Sequence, residues 1–551
     1  MGNDKPAAAL SGPSSFVQRY PRAILIIVTL ACLLPFADKA LHIDDPLFVW
    51  AGRQMQTQWS DPYGFEVNWY GWAMPMHEVT KNPPLACAWI ALLISIFGED
   101  EFALHLGFFL QAIAVLLGTY ALARRLCDHP FYAALAALCT PVFMISSTTL
   151  MCDVLMVAFW VWAVVLWMRG MEEQRLLLLA LAALLIVAAS LTKYFGIALV
   201  PLLLVYSLVR NRRAGWWLVY LALPLALLGL YESAMRGLYG HGLMWDAFSY
   251  ANQNEARGTG AWFVKTMTAL GFTGGCCAIV LILAPVLWRS RTWFWALIAA
   301  TILLPSTWIL TGTLVSAENP TRLGMTLVWT LLVLGGLAVL ALPMLDWKRD
   351  RNAEALMLLL WVWGTFVFCI LNWTINGRSI LPMVPAVAIL LLRRSEVVRM
   401  SANLRLTWLF GAVAIFSLLI TLADYRLADS ARAAATKIRS KFRIPSSATV
   451  WFQGHWGFQY YAQGYGFRAF DSTNTRTRPG DLMVLPFNNT NLKPIPESTF
   501  EHIEMIELPV FPWIATMGRA VGAGFYTDIV GPLPFSFGAV PPEKYYVIRL
   551  K

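Results

Sequence analysis

Two adjacent carboxylates, Asp44 and Asp45, follow the first hydrophobic segment of the 551-residue chain. They open a polar loop that begins at His42 and ends at Lys81-Asn82-Pro83-Pro84. A carboxylate beside a hydroxyl can act as a general base, and a lysine is a point charge for a phosphate. The simpler alternatives are a carboxylate that caps a helix or lies among lipid headgroups, and a lysine that snorkels. These residue types predict either acid–base chemistry at a membrane surface or a solvated loop.

Three more charged residues, Asp153, Lys193 and Arg378, stand at the ends of later hydrophobic segments. The simpler interpretation of Asp153 is that it interacts with the dipole of the helix that begins there. The two cations in the simple case reach lipid headgroups. Together with Lys81 they also fit a phosphate or pyrophosphate site, because Arg binds phosphate with two parallel hydrogen bonds.

The histidines give a weaker signal. His42 and the pair His77-Glu78 flank the carboxylates, so a divalent metal could be held there together with Asp44 or Asp45. Asp45, His42 and Glu78 are therefore candidates for contact with the acceptor or with a metal. A divalent metal is the cofactor that these residue types could bind.

The composition is that of a membrane protein: 58% of residues are hydrophobic, 13% are charged, and the mean hydropathy is +0.58. Soluble domains carry about 25% charged residues. The net charge of +10 comes largely from Arg-rich loops between spans, which argues against a nucleic acid partner. All eight cysteines lie in or beside hydrophobic segments without a CxxC pair, so a disulfide framework is not expected.

Placing the basic loops on the cytoplasmic side fixes the predicted topology. Residues 23–37 form a retained first span, and residues 38–82 form an external loop with interfacial helices. The apolar stretch Leu85–Phe97 is short, and the later basic loops keep one side only if it lies in the interface without crossing. The sequence then predicts about thirteen spans within residues 1–424.

This orientation brings acids and cations from distant parts of the chain to one external face. Only the positions of the basic loops were used to derive it. No internal repeat of the inverted-repeat transporter kind is evident. The charged residues collected at this face are Asp44, Asp45, Lys81, Asp153, Lys193, Arg322 and Arg378.

The composition changes after residue 424. An Ala/Arg/Lys-rich stretch at 429–442 has helical spacing, and three short apolar runs separated by turn signals have the character of buried strands. We predict a small α/β domain at residues 425–551, outside the membrane. Its predicted strands are 449–452, 481–485 and 545–550.

The order of these motifs resembles the protein-mannosyltransferase/ArnT-like branch of the GT-C glycosyltransferases. The motifs are Asp44-Asp45, Pro83-Pro84-Leu85, Met151-Cys152-Asp153, Thr192-Lys193, and Arg378-x-x-Leu-Pro-x-x-Pro. The resemblance implies a GT-C fold in the bacterial inner membrane with a periplasmic active site. It also implies transfer of a sugar from a polyprenyl-phosphate donor of the undecaprenyl-phosphate type to lipid A, another glycolipid, a polysaccharide or a protein.

By the same resemblance, Asp44 is the general base, and Asp153 orients the acceptor or binds a metal. Lys193 and Arg378 lie near the lipid phosphate, and Lys81 joins them as a third cation. One base with several cations implies inversion at the anomeric carbon. The chain departs from the family at Asn82, where relatives that transfer aminoarabinose have a Lys preceded by Glu, which argues against that donor.

Two other classes of function stay open at this level. A transporter or lipid flippase would need ionisable residues near the middle of its spans. A scaffold for envelope assembly would tolerate Asp44→Asn.

Overall fold

The computed structural model describes residues 19–252, 259–288, 290–312, 321–398, 404–442 and 448–551, and most of them are helical. The helices are α1 Pro21–Leu33, α2 Asp45–Thr57, α3 Met76–Val79, α4 Leu85–Phe97, α5 Glu101–Leu126, α6 Pro130–Leu138, α7 Pro141–Ser147, α8 Asp153–Glu173, α9 Leu176–Thr192, α10 Leu199–Asn211, α11 Leu218–Tyr239, α12 Leu243–Ala251, α13 Thr259–Cys276, α14 Ala278–Ile282, α15 Ala284–Leu287, α16 Ser290–Gly312, α17 Thr321–Asp350, α18 Ala353–Leu371, α19 Gly377–Ile380, α20 Val384–Val397, α21 Leu404–Lys441 and α22 Trp456–Gly464.

Eleven strands were found among the described residues, and most of them follow α21. They are β1 Glu66–Asn68, β2 Ala73–Pro75, β3 Val450–Phe452, β4 Arg468–Ala469, β5 Leu482–Pro486, β6 Phe500–Leu508, β7 Ile514–Ala515, β8 Met517–Gly518, β9 Ala523–Gly524, β10 Ser536–Phe537 and β11 Glu543–Leu550.

Within the described residues, eight helices are long and apolar enough to cross a membrane, and nine if the bent pair α6–α7 counts as one span. The chain is therefore a polytopic helical membrane protein. The number thirteen stays a prediction, because the other predicted spans are short or interrupted helices: α1, α9, α13 to α15 and α20.

Proline accounts for part of this interruption. It removes a backbone donor and clashes with the preceding turn, so a helix tends to end just before it. Pro141 separates α6 from α7, which meet at 66°. Pro382 lies in the 3₁₀ turn between α19 and α20, and Pro385 lies in the first turn of α20. The second break leaves Arg378 on a short helix of its own.

Ion pairs show which helix ends lie together. Arg210 joins the end of α10 to Glu172 of α8 at 3.2 Å and to Glu354 of α18 at 2.5 Å. Arg393 of α20 bonds Asp346 of α17 at 2.8 Å. We call this end of the bundle the opposite face, and the end that carries the C-terminal strands the sheet face.

Both ends of α4 lie at the sheet face. The Tyr63 hydroxyl donates to the carbonyl of Asn82, just before α4, at 2.9 Å. Just after α4, Glu99 accepts two hydrogen bonds of 2.6 Å from Arg53 of α2. This arrangement supports the predicted interfacial position of Leu85–Phe97.

The C-terminal region contains a five-stranded sheet in the order β4-β3-β5-β11-β6. β3 runs parallel to β4 and β5, and β11 runs antiparallel to β5 and β6. The three predicted strands correspond to β3, β5 and β11. The helix predicted at 429–442 is the end of α21, which continues from the last span without a break, so the division at residue 424 stays a prediction.

One part of the C-terminal region packs among the membrane helices. We call residues 514–537 the wedge. Its Phe535 ring contacts Phe416 of α21 at 5.8 Å, and its Pro534 lies so close to Gly275 of α13 that a Cβ there would be 2.5 Å from the proline Cγ. Gly275 therefore allows the wedge to approach α13. The wedge therefore contacts helices of the bundle, and the position of residues 425–551 outside the membrane stays a prediction.

Candidate functional site

A cavity of about 290 Å³ opens at the sheet face, between the first loop, α12, the segment that precedes α19, and the wedge. Its charged lining residues are Asp44, Lys81 and Arg378. The rest of its wall consists of aliphatic, sulfur-containing and aromatic side chains and of neutral amides and hydroxyls. These neutral residues include Trp69, Tyr70, Thr80, Asn82, Tyr250, Asn372, Trp373, Thr374, Asn376, Trp456, Tyr526 and Thr527.

Asp44 and Arg378 form an ion pair on the cavity wall. Arg378 Nη2 donates to Asp44 Oδ2 at 3.0 Å, and the Asp44 side chain is 30% exposed. Asp44 precedes α2 but its side chain makes no capping hydrogen bond, which argues against the helix-cap interpretation of this carboxylate. Burial alone would lower the pKa of Arg378, but the carboxylates of Asp44 and Asp153 outweigh it and raise that pKa.

The loop that carries Asp44 is held under local strain. Ile43 has φ = 49°, a left-handed conformation that a β-branched residue rarely adopts. Asp45 fixes this turn, because its two oxygens accept from the backbone N–H groups of His42 at 2.9 Å and Leu150 at 2.8 Å. Burial raises the pKa of Asp45 to about 7, although those N–H groups and Lys39 favour its charged form. Asp45 thus ties the loop to the start of α8 and does not line the cavity.

Asp153 and Lys193 lie behind Arg378. Lys193 Nζ donates to Asp153 Oδ1 at 2.5 Å, and Asp153 Oδ2 is 3.8 Å from Arg378 Nη1. Asp153 is 2% exposed, and neither residue is among those that line the cavity. The structure therefore brings the two together with Arg378, as supports for its guanidinium.

Lys81 also lies on the cavity wall. Its ammonium donates to the carbonyl of Glu78 at 2.7 Å and stands 5.4 Å from the centre of the Tyr250 ring. Burial lowers the pKa of Lys81, while Asp246 and Glu78 act in the other direction. Only the backbone of Glu78 takes part in this contact.

The histidine candidates point elsewhere. His42 is buried with Nε2 3.9 Å from Asp424, and burial lowers its pKa to about 4. His77 faces His241, whose other nitrogen contacts Asp246. No group of three or more His, Cys, Asp or Glu side chains in the described parts of the chain is arranged to hold a metal ion.

Sequence reasoning missed the contribution of the C-terminal region. Tyr526 and Thr527 of the wedge line the cavity. It also missed the fully buried pair Lys39–Asp424, at 2.6 Å. A signal for that pair exists in the sequence, because Lys39 follows the first span and Asp424 follows the apolar part of the last, which would place the two opposite charges at the same level.

Residues 81–232 match the family described as dolichyl-phosphate-mannose-protein mannosyltransferase. The matched stretch contains Lys81, Asp153 and Lys193, and it leaves Asp44 and Arg378 outside. No curated protein sequence matches the chain.

Three solved structures show weak overall likeness. ArnT from Cupriavidus metallidurans bound to undecaprenyl phosphate has 15% identity and a TM-score of 0.42, over 86% of this chain and 94% of that one. The apo oligosaccharyltransferase of Archaeoglobus fulgidus has 13% identity and a TM-score of 0.48, over 83% and 65%. The mycobacterial arabinofuranosyltransferase AftD has 12% identity and a TM-score of 0.37, over 96% and 40%.

The family match thus confirms, over residues 81–232, the resemblance of this chain to the mannosyltransferase-like members of the GT-C glycosyltransferase superfamily.

Proposed function

We propose that the protein transfers a sugar from a polyprenyl-phosphate donor to an acceptor hydroxyl, with inversion at the anomeric carbon. The observation that carries the proposal is the pair Asp44–Arg378, a carboxylate and a guanidinium 3.0 Å apart on the wall of one cavity at a membrane face. The matched family is described by a donor of this chemistry, a dolichyl-phosphate sugar.

The reaction needs one base and a stabilised leaving group. The acceptor oxygen attacks the anomeric carbon while its proton passes to Asp44. The bond between that carbon and the phosphate oxygen breaks, and its electron pair leaves with the lipid phosphate. Arg378 and Lys81 stabilise the added charge, because cations that are already fixed in position need little reorganisation during the reaction.

Lys193 and Asp153 act on this reaction through Arg378. Asp153 Oδ2 lies 3.8 Å from the guanidinium, and Lys193 neutralises the other side of the same carboxylate. This gives Asp153 and Lys193 supporting roles, whereas contact with acceptor or phosphate falls to the residues on the cavity wall.

We place the reaction at the periplasmic side of a bacterial inner membrane, with an undecaprenyl-phosphate type of donor. This follows from the basic loops, which keep the opposite face cytoplasmic. The acceptor is a glycolipid such as lipid A, a polysaccharide or a protein.

The residues do not fit a resident divalent metal. Asp45 and His42 direct their side chains away from the cavity, and Glu78 contributes a carbonyl to Lys81. The proposed reaction therefore uses no metal ion. Transfer measured with a chelator, and again with Mg²⁺ or Mn²⁺ restored, tests this directly.

The transporter alternative receives little support from the charge distribution. In the described residues, the buried charged side chains contact loops or helix ends at one of the two faces of the bundle, where a conduction path would need them near mid-span. In the helical bundle these residues are Lys39, Asp45, Asp153, Lys265, Asp346, Arg393 and Asp424, and Asp481, which is also buried, lies just before β5 in the C-terminal region.

The proposal is tested with membranes that contain the protein and a panel of radiolabelled polyprenyl-phosphate sugars. We expect labelled product from at least one donor, and loss of that product in Asp44→Asn at matched protein level. The mobility of the product identifies the acceptor class. Absence of transfer from every donor would contradict the proposal and make transport assays the next step.

A further inference from the structure

The wedge forms hydrogen bonds with the backbone immediately before Arg378. Gly377 N–H donates to the Phe525 carbonyl at 2.7 Å, and Asp528 N–H donates to the Ile375 carbonyl at 2.9 Å. The Asp528 carboxylate in turn accepts from the Ile375 N–H at 3.0 Å. Residues from the far end of the chain therefore fix the position from which the Arg378 side chain starts.

The side chain of Tyr526 contacts Arg378 from the same segment. Its ring centre lies 5.7 Å from the guanidinium carbon, within the range of a cation–π interaction, and 5.1 Å from the ring of His42. Tyr526 is 3% exposed. Arg378 Nε is buried and has no hydrogen-bond partner among the described residues. The tyrosine ring therefore orients this guanidinium together with Asp44, Asp153 and the sulfur of Met151.

Tyr526 is itself held in one orientation. Its hydroxyl donates to Asp424 Oδ2 at 2.8 Å, and Thr516 of the wedge donates to Asp424 Oδ1 at 2.7 Å. Lys39 pairs with the same carboxylate at 2.6 Å. Because Lys39 precedes the Asp44 loop, this network joins both members of the Asp44–Arg378 pair to α21.

We propose that Tyr526 is a positioning residue that holds the Arg378 guanidinium in the orientation that receives the donor phosphate. This inference rests on the proposed function. An arginine binds phosphate most strongly with two parallel hydrogen bonds, which requires the plane of the guanidinium to be set in advance. Tyr526 sets that plane through its ring and is in turn fixed by Asp424. The C-terminal region is therefore part of the donor site.

The test is binding of undecaprenyl phosphate to the purified full-length protein, together with donor and acceptor KM values. Tyr526→Leu removes the ring contact, and we expect about tenfold weaker lipid-phosphate binding and a donor KM raised to the same extent. Tyr526→Phe keeps the ring and loses only the hydroxyl, so we expect about a threefold effect. The acceptor KM stays unchanged in both variants.

A double-mutant cycle tests whether Tyr526 acts on lipid-phosphate binding through Arg378. In an Arg378→Gln background, Tyr526→Leu should weaken binding no further. Phe535→Leu is the matched control, because it makes a similar core change in the same wedge without reaching Arg378, and it should bind undecaprenyl phosphate normally. Thermal unfolding of each variant verifies folding.

Two results would overturn the inference. One is normal lipid-phosphate binding by Tyr526→Leu, and the other is an undiminished effect of Tyr526→Leu in the Arg378→Gln background. If Arg378→Gln itself binds undecaprenyl phosphate normally, the phosphate role of Arg378 in the proposed function fails. Weak binding by Arg378→Gln with normal binding by Tyr526→Leu leaves that role intact and rejects only the positioning role.

Discussion

The protein has an arginine–carboxylate cluster at each face of its helical bundle, and the two differ in how fully the arginine is bonded. At the opposite face, all three guanidinium nitrogens of Arg393 donate: Nε to Asp346 at 2.8 Å, Nη1 to the Leu126 carbonyl at 2.6 Å, and Nη2 to Asp350. At the sheet face, Arg378 donates from Nη2 to Asp44 at 3.0 Å and from Nη1 to the sulfur of Met151 at 2.5 Å, and its Nε is unpaired within the described structure.

The difference separates a structural cluster from a binding site. Buried polar groups are nearly always paired, so each one that is not calls for an explanation such as a ligand. Arg393 joins three helices, and each of its three nitrogens donates a hydrogen bond within the protein. Arg378 adjoins a cavity and retains donor capacity. The same residue types therefore serve different purposes according to what is left unbonded.

The largest expected effect concerns the pair Lys39–Asp424, which lies at the sheet face yet is fully paired. Removing one partner leaves a buried charge uncompensated, so Lys39→Met should lower the free energy of unfolding by about 3–5 kcal/mol. Thermal or denaturant unfolding in detergent measures the change. The double variant Lys39→Met/Asp424→Leu should recover only part of the loss, because the hydroxyls of Thr516 and Tyr526 lose their acceptor. A fully stable single variant would show that full pairing does not mark a structural cluster.

Equivalent substitutions in the two arginine clusters should separate activity from stability. Arg378→Gln removes a charge that stabilises the leaving phosphate, so transfer should fall about 10²–10³-fold. Arg393→Gln should reduce thermal stability while the rate per folded molecule stays within about twofold. Both are measured by transfer at matched amounts of folded protein. Equal activity losses in the two variants would remove the distinction.

A smaller effect is expected at Asp153, which supports Arg378 without lining the cavity. Asp153→Asn keeps the shape but weakens the electrostatic hold on the guanidinium and on Lys193, and it should slow transfer about tenfold. The donor KM should change more than the acceptor KM. A loss as complete as that of Asp44→Asn would instead assign Asp153 to the reacting groups.

The smallest predicted effect is a pH dependence of stability that is caused by a histidine away from both arginine clusters. His455 in the C-terminal region is 2% exposed, and burial lowers its pKa to about 4 from an ordinary value of 6.5. The unfolded chain then binds more protons between these values, so this contribution to stability is complete above pH 6.5 and is lost as the pH falls towards 4. The melting temperature of wild type should drop more between pH 7.5 and pH 5 than that of His455→Asn. Identical pH profiles would contradict this.

The sequence predicted the membrane character, the order of the helices and the side of the bundle on which the charges meet. Asp44, Lys81 and Arg378 could be brought together because each stands beside a hydrophobic segment, and basic loops fix the direction of such segments. The strands β3, β5 and β11 were found from their apolar runs. These features depend on local composition, which a single sequence displays.

The unequal roles of Asp44 and Asp45 could not be predicted. The two are neighbours with the same chemistry, and what distinguishes them is the backbone N–H of Leu150, more than a hundred residues away, which bonds Asp45. The wedge was missed for a related reason. Its Gly531-Pro532-Leu533-Pro534 stretch has the turn signals of a surface loop, and its contact with α13 depends on the missing side chain of Gly275.

The most direct test of the central claim compares Asp44→Asn with Asp45→Asn in purified, reconstituted protein. We predict that Asp44→Asn binds undecaprenyl phosphate, stays folded, and loses transfer by about 10²–10⁴-fold, because it lacks only the base. Asp45→Asn should lower the free energy of unfolding, and its folded molecules should still transfer sugar. Transfer by Asp44→Asn at the wild-type rate would contradict the account.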